Sequence, residues 1–585
     1  MKLKKLLLLI IPSLLLSSCT FGMNDETYAK DISVYNLDAI KDGDLNSGNE
    51  GKIKARFYKE QGYVPYISLK QYASLYNSHF DSDVTSKVEK SYTDLIWTVR
   101  RGQDLYFALQ VDLTAQYFIV MGSLDSTYKP GDEIVDTASL LYGANTTYDA
   151  VSYTGRTYAR YSYAGLGFKI FNYSHEYYFP LGLLDITCSE DSGIYYTYNY
   201  DSIYSSKNAD RFSEIQFNKN GETLTVNSQM KKSKKDSLMP AYLREYNANL
   251  FLYLLDNFYG LKENKNISSS FAYCKQIGTI DALSDENDQI RAQAYADTLS
   301  KLDDNHTALV SVNDTWGEQS FVRRKYGDNC RNRAALMQSL NNKRASMLSS
   351  DYCAGKDILY SSDGETAMFL FDAFIYGTSE QVFNEDGSIK DTAEEYDSFF
   401  YMINAFNKIK AKGGVKNVVI DISTNGGDTL GVMMKLLSLI SNNDESYMYY
   451  LQDAAGILGT AFTTLDINKD GKYDASDCYG DDFNIFILTS DCSYSCGNAF
   501  PCLAQKFGSA KIIGQKSGGG ECAVAIHYLP NSEYVYHSSN LHLGYYDAKV
   551  NKFTGFEEGA TPDIDIENTD DYYSIEKIAS YVTAA

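Results

Sequence analysis

From Asn417 to Gln515 short apolar runs alternate with longer amphipathic ones, and this order constrains the fold more than any other feature of the chain. "NVVIDIS" reads as a strand, "LGVMMKLLSLIS" as a helix, "FNIFILTS" as a strand, "GNAFPCLAQKFG" as a helix and "AKIIGQ" as a strand. The strands are apolar at nearly every position instead of every second one, so both faces of their sheet must be covered. A β-α-β-α-β order of this kind predicts an α/β domain with helices on both sides of the sheet. Proteins of that class keep their chemistry in the loops that leave the strand ends.

Three such loops follow the three strands: "DISTNGGD" (421–428), "TSDCSYSCGNAF" (489–500) and "GQKSGGGEC" (514–522). A serine just before a helix can have its developing oxyanion met by the next backbone N–H. That describes Ser495 followed by Cys496. Adjacent glycines let a second backbone N–H approach the same point with no Cβ in the way, which points to Gly426 and Gly427. Each piece is common by itself; their order along the chain carries the weight.

In combination these motifs resemble the tail-specific, or C-terminal processing, serine peptidases over residues 240 to 570. "NGGD" matches that family's oxyanion segment, "SYSCGNAF" its nucleophile turn, and "EEGATPDIDI" its closing Gly-x-x-Pro-Asp element. The resemblance implies a crotonase-like (ClpP/crotonase) α/β core with a helical subdomain, hydrolysis of peptide bonds, no organic cofactor, and Ser495 as nucleophile in preference to Ser493. One branch of the family takes its base from a lysine where this chain has Gly520. The tricorn-like branch takes a histidine from upstream, and "LSKLDDNHTALV" supplies His306 within that branch's Asp-x-His pattern. An imidazole, with an ordinary pKa near ~6.5, suits the removal of a serine proton around neutrality. The family also has a glutamate near the closing element; strict alignment places Phe556 there, so Glu557 is the expectation. Asn305 stands where tricorn has a serine, and no PDZ pattern is visible. A second reading, a catalytically weak relative that binds peptides or glycans at the surface, therefore stays open.

"DINKDGKYDASD" (466–477) interrupts this domain between its first core helix and its second strand. Oxygen side chains fall at positions 1, 3, 5, 9 and 12, with glycine at 6, the pattern of an EF-hand or dockerin-type calcium loop. The expected ligand set is Asp466, Asn468, Asp470, the Lys472 carbonyl, Asp474 and Asp477. A single loop at this place predicts a structural calcium ion.

The ends of the chain add location. Lysines in the first five residues, an apolar run from Leu6 to Leu16 and then "SSC" make a secretory signal (1–18) that resembles a bacterial lipobox. It implies lipidation of Cys19, palmitate included, and attachment to the extracytoplasmic face of the membrane; the apolar run is shorter than the roughly 20 residues a span needs. Residues 19–48 read as a polar tether, 49–235 as a smaller β-rich accessory domain, 236–365 as the helical subdomain and 366–585 as the peptidase core. "FSEIQFNKNGETLTVNS" looks like a hairpin turning at Asn-Gly. A formal charge of −23 argues against nucleic acid as a partner. Beyond Cys19 there are nine cysteines with no metal-type spacing, and their pairing is left open.

Overall fold

The computed structural model describes residues 32–41, 52–77, 79–91, 94–122, 135–173, 176–200, 202–206, 216–219, 222–225, 237–312, 316, 326–350, 358–441, 447–530 and 533–584. Cys19, the signal segment and most of the expected tether lie outside them. Within them no helix is long and apolar enough to cross a membrane.

The molecule is mixed α/β, built on several sheets. Its six-stranded sheet runs Ile358–Tyr360, Thr366–Leu370, Asn417–Asp421, Asn484–Thr489, Lys511–Gly514, Ile564–Asp565. All neighbours are parallel except the first pair. Successive residues of each strand enter different cores, which is why the apolar pattern does not alternate. Val418, Ile420, Ile485, Ile487 and Ile512 pack with helices Ser398–Lys412, Leu430–Ile440 and Cys496–Phe507. Val419, Phe486, Leu488 and Ile513 pack with Asp328–Leu348 and Ile575–Thr583 on the opposite face. Asp421 is in register with Leu488, and Thr489 with Gly514. The three loops therefore leave one edge of the sheet side by side.

A second sheet crosses the boundaries expected from sequence. Its order is Ala308–Val312, Glu533–Asp547, Tyr447–Gln452, Ile457–Thr464, Asn145–Ser152, with Cys522–Leu529 and Lys552–Gly555 also on Glu533–Asp547. Asn145–Ser152 was expected in the accessory domain, yet it pairs along its whole length with Ile457–Thr464. The segment before it is tied to the peptidase half as well, by Val135 N–H to the Gly377 carbonyl (3.1 Å) and Thr137 Oγ1 to Asp397 (3.0 Å). The front half is otherwise a five-stranded sheet of strands between Val84 and Ser162 and a seven-stranded one that includes Ile32–Lys41. Ile32–Lys41, expected as tether, is a strand bonded to Lys52–Tyr58 and Ile203–Ser206. The expected hairpin is present as Gln216–Lys219 with Glu222–Thr225. The front half and the helical subdomain also share one core: Trp97, Phe118, Leu184 and Tyr196 join Phe251, Leu255, Tyr295, Leu529 and Val535 in a single apolar cluster. The sequence boundary near residue 235 is a break in pattern and not in packing.

Candidate active site

Ser495 closes the loop after Asn484–Thr489 and is the first residue before helix Cys496–Phe507. Its backbone lies at φ 58°, ψ −125°, a conformation that costs a non-glycine residue about 1–3 kcal/mol and tends to occur at functional sites. Hydrogen bonds from both neighbouring loops hold that strain. Ser495 N–H donates to the Gly519 carbonyl (3.0 Å), Tyr494 N–H to Asn425 (3.1 Å), and Gly518 N–H to Ser493 (2.8 Å). Ser493 is fully buried and its hydroxyl donates to the Ile422 carbonyl. Among the described residues, Ser495 Oγ has no partner.

The backbone N–H groups of Gly426 and Cys496 also have no acceptor among the described residues. Gly427 differs from its expected role. Its N–H donates to Asn425 Oδ1 at 2.8 Å, so it is not open to a substrate oxygen. What Gly427 provides is room: at φ 106°, a Cβ there would lie 2.7 Å from the Ser495 Cβ and 2.8 Å from Cys496 N. The absence of a side chain lets the first loop close on the second.

His306 is buried, with its ring edge-on to Tyr494 and centroids 4.9 Å apart. Burial holds its pKa below the ordinary imidazole value; Arg333 adds to this, and Asp304 and the Cys522 backbone oppose it. Asp304 organises the segment. It accepts His306 N–H (2.9 Å) and the Tyr494 hydroxyl (3.3 Å) on one oxygen, and the hydroxyls of Thr307 (2.6 Å) and Ser538 (2.8 Å) on the other. His306 Nδ1 is buried and meets no partner among the described residues, so none of their carboxylates orients the ring through that nitrogen. Ser495 and His306 are not hydrogen-bonded to each other.

Glu557 reaches the same corner by another route. Its Oε2 accepts the N–H groups of Gly520 and Glu521, each at 3.1 Å, and not the His306 ring. Burial pushes its pKa up to about 7, with Asp304 and Glu521 adding to the rise. The position at which the other branch carries a lysine cannot hold one in this geometry. A Cβ on Gly520, at φ 83°, would lie 2.6 Å from the Tyr494 ring and 3.0 Å from Ser495 N. Lys516 pairs with Glu558 at 3.3 Å and is half exposed.

Two residues at the site had no sequence signal. Arg333, in the second turn of helix Asp328–Leu348, which was expected only as part of the helical subdomain, donates to the carbonyls of Asp491 (2.7 Å) and Gly518 (2.8 Å) and stacks on Tyr494 at 4.5 Å. It fastens the second and third loops together. Tyr494 touches His306, Arg333 and Asp304, yet in sequence it is one tyrosine of 51.

The loop 466–477 is folded as a tight acidic turn. Asp466 accepts the N–H groups of Asp470 (3.0 Å) and Gly471 (3.0 Å), Asp470 accepts Lys472 N–H (2.9 Å), and Asp477 accepts Ile467 and Asp474 N–H (2.8 and 3.1 Å). Asn468 Oδ1 also faces Asp470 N–H, at 2.9 Å, and the Asp474 carboxylate is turned to Ser476. Gly471 takes φ 79° at the turn. All eight cysteines among the described residues are free thiols.

Residues 388–566 match the sequence profile of Peptidase family S41, a stretch that holds Ser495, Gly426, Gly427 and Glu557 but not His306. No curated protein matches. Among solved structures the chain is similar to a putative peptidase from Parabacteroides merdae (16% identity, 58% of this chain and 96% of that one, TM-score 0.41). It is similar also to a lipoprotein from Streptococcus agalactiae (13%, 58% and 97%, TM-score 0.33) and to the tricorn protease (10%, 94% and 58%, TM-score 0.33).

Proposed function

We propose, from the premise that the chain carries a Peptidase family S41 domain and is a serine peptidase, that it cleaves peptides or unfolded proteins at the bacterial cell surface through an acyl-enzyme at Ser495. The observation that carries this reading is the strained serine at a helix start, with its hydroxyl and two nearby N–H groups all unpartnered among the described residues. His306 takes the Ser495 proton as Oγ attacks the scissile carbonyl carbon. The resulting oxyanion is met by Gly426 and Cys496 N–H, where preorganised donors contribute most to such reactions. Collapse breaks the C–N bond, and the leaving amine takes the proton back from His306. A water molecule, deprotonated by the same imidazole, then hydrolyses the ester and restores Ser495. Glu557 holds the Gly520–Glu521 backbone against the nucleophile loop and acts on the reaction through it. A fluorophosphonate probe should label wild-type protein at Ser495 and leave Ser495→Ala unlabelled. Absence of labelling in a folded wild type that also fails to cleave casein would remove the acyl-enzyme.

Location rests on the lipobox. Cys19 carries the lipid, and two or more acyl chains are enough for stable anchoring. Cys19→Ser should leave the protein unlipidated; wild-type protein that incorporates no labelled fatty acid would disprove the anchor. Calcium is assigned to the loop 466–477, whose hard oxygen donors suit that ion. The Asp466, Asn468, Asp470 and Asp477 side chains and the Lys472 carbonyl would hold it, and Asp474 would serve through water.

A further inference from the structure

Two other histidines are fully buried, His527 on strand Cys522–Leu529 and His537 on Glu533–Asp547. Val535 is the partner of His527 and Ala525 that of His537, so the two rings are diagonal neighbours on one face of the hairpin. They lie 5.0 Å apart, nearly parallel, with His527 Nδ1 2.9 Å from His537 Nε2.

Their outer nitrogens decide what lies between them. His527 Nε2 is 3.2 Å from the Ile186 carbonyl and His537 Nδ1 is 3.1 Å from the Ser538 carbonyl. A carbonyl only accepts, so each outer nitrogen must carry its ring's proton. In a neutral imidazole the other nitrogen is then a bare lone pair. Two lone pairs therefore face each other at 2.9 Å, an arrangement that needs a cation between them. One candidate is a third proton, which would put a charged imidazolium in a fully buried place. Burial acts against that, since neither ring is exposed to water and an unpaired buried charge is costly. The other candidate is a metal ion. Glu190, from helix Leu181–Ser192, brings a carboxylate oxygen to the same point, and all three donor atoms lie within 4.8 Å of one another.

We propose that Glu190, His527 and His537 form a binding site for a divalent transition-metal ion of the zinc type. Two imidazoles and a carboxylate suit zinc and its neighbours, and nitrogen donors exclude calcium and magnesium. At tetrahedral zinc, with bonds of about 2.0–2.1 Å, two nitrogens lie about 3.3 Å apart. The rings need to separate by only about 0.4 Å to admit the ion. Glu190 sits one helical turn beyond Ile186, so one helix of the front half supplies both a ligand and the carbonyl that fixes a ligand's tautomer. The ion would staple the front half to the hairpin that carries Ser538, itself bonded to the Asp304 that positions His306.

The test uses the whole mature chain, purified without a nickel column, stripped with chelator, dialysed and titrated with zinc chloride alone. Wild-type protein should bind zinc in a one-to-one ratio and melt at a higher temperature with it. His537→Gln should weaken binding at least a hundredfold, since loss of even an outer partner of a ligand costs about 10–100-fold. Glu190→Gln leaves both rings in place and should weaken binding too, which keeps the test open should the histidine variant not fold. Cys522→Ser serves as a control, because Glu521, Cys522 and His542 form the other group of three potential ligands among the described residues. If zinc binding is lost in Cys522→Ser and kept in Glu190→Gln, the assignment to the histidine pair is wrong. Wild-type protein that binds zinc no better than His537→Gln, with an NMR signal for one proton shared between the rings, would equally overturn it.

Discussion

The loop 466–477 and the serine site are both built from loops in one domain, but they are assembled in opposite ways. The acidic loop is twelve consecutive residues whose carboxylates accept backbone N–H groups of the same turn. The serine site draws on 304–306, 425–427, 494–496, 518–521 and 557, five segments that meet only because the strands are in register and Arg333 ties the loops. Local assembly makes a site robust and readable in sequence. Distributed assembly lets burial and strain act on the reacting groups, and each contributing segment becomes a point of failure.

The largest effect expected from this difference is catalytic. Ser495→Ala and His306→Ala should each lower turnover on casein by roughly a thousandfold or more, and the double variant should be scarcely worse, because members of one catalytic unit are non-additive. Lys516→Ala should keep most activity, since Lys516 faces Glu558 and solvent. A dead Lys516→Ala beside an active His306→Ala would reverse the choice of base. Next comes Gly520→Lys, which restores the residue type of the other branch. It should abolish activity and lower the melting temperature, as its Cβ collides with Tyr494 and Ser495; a gain of activity would show that the loop can move.

Smaller effects separate the two sites by stability. The Glu557 carboxyl rises from 4.5 to about 7 on folding, so the folded state holds that proton more tightly. Its contribution is fully present below about pH 4.5 and is lost as pH rises through about 7. The loss amounts to up to about 3 kcal/mol. Glu557→Gln should therefore flatten the fall in stability between those pH values; identical profiles in urea unfolding would contradict the burial argument. At the acidic loop, calcium at a hundredfold excess over its dissociation constant should add about 2.7 kcal/mol. Chelator should lower the melting temperature of wild type and leave Asp470→Ala unaffected. An unchanged wild-type curve would count against the ion. The smallest shift is in the pH–rate profile. His306 lies below the ordinary imidazole value, so kcat/KM should hold steady on acidification past about 6.5 and fall only beyond it. An acid limb above 6.5 would place the base in a more exposed or more anionic setting.

Much of the α/β core was legible because its signals are local and additive. Unalternated apolar strands between helices announced a sheet covered on both faces, and Ser495, Gly426, Cys496 and His306 stood in motif order. Gly427 was legible as a required glycine but not in its role, since only the folded loop reveals that Asn425 has taken its N–H. Domain limits were misjudged where long-range strand pairing overrode local pattern: Asn145–Ser152 joins a strand some three hundred residues away, and Ile32–Lys41 joins the front sheet. Arg333, Tyr494 and the pair His527–His537 carry no signal in sequence, because an arginine on a helix or a histidine in a strand is ordinary until its neighbours are known. The sequence by itself determined the strand–helix order, the serine that precedes helix Cys496–Phe507 and the acidic loop, all properties of contiguous residues. Tertiary structure alone decided which N–H groups are open, which acid holds the histidine segment, and which lone pairs are left facing each other. Those are properties of distance and desolvation, and they exist only once the chain has closed on itself.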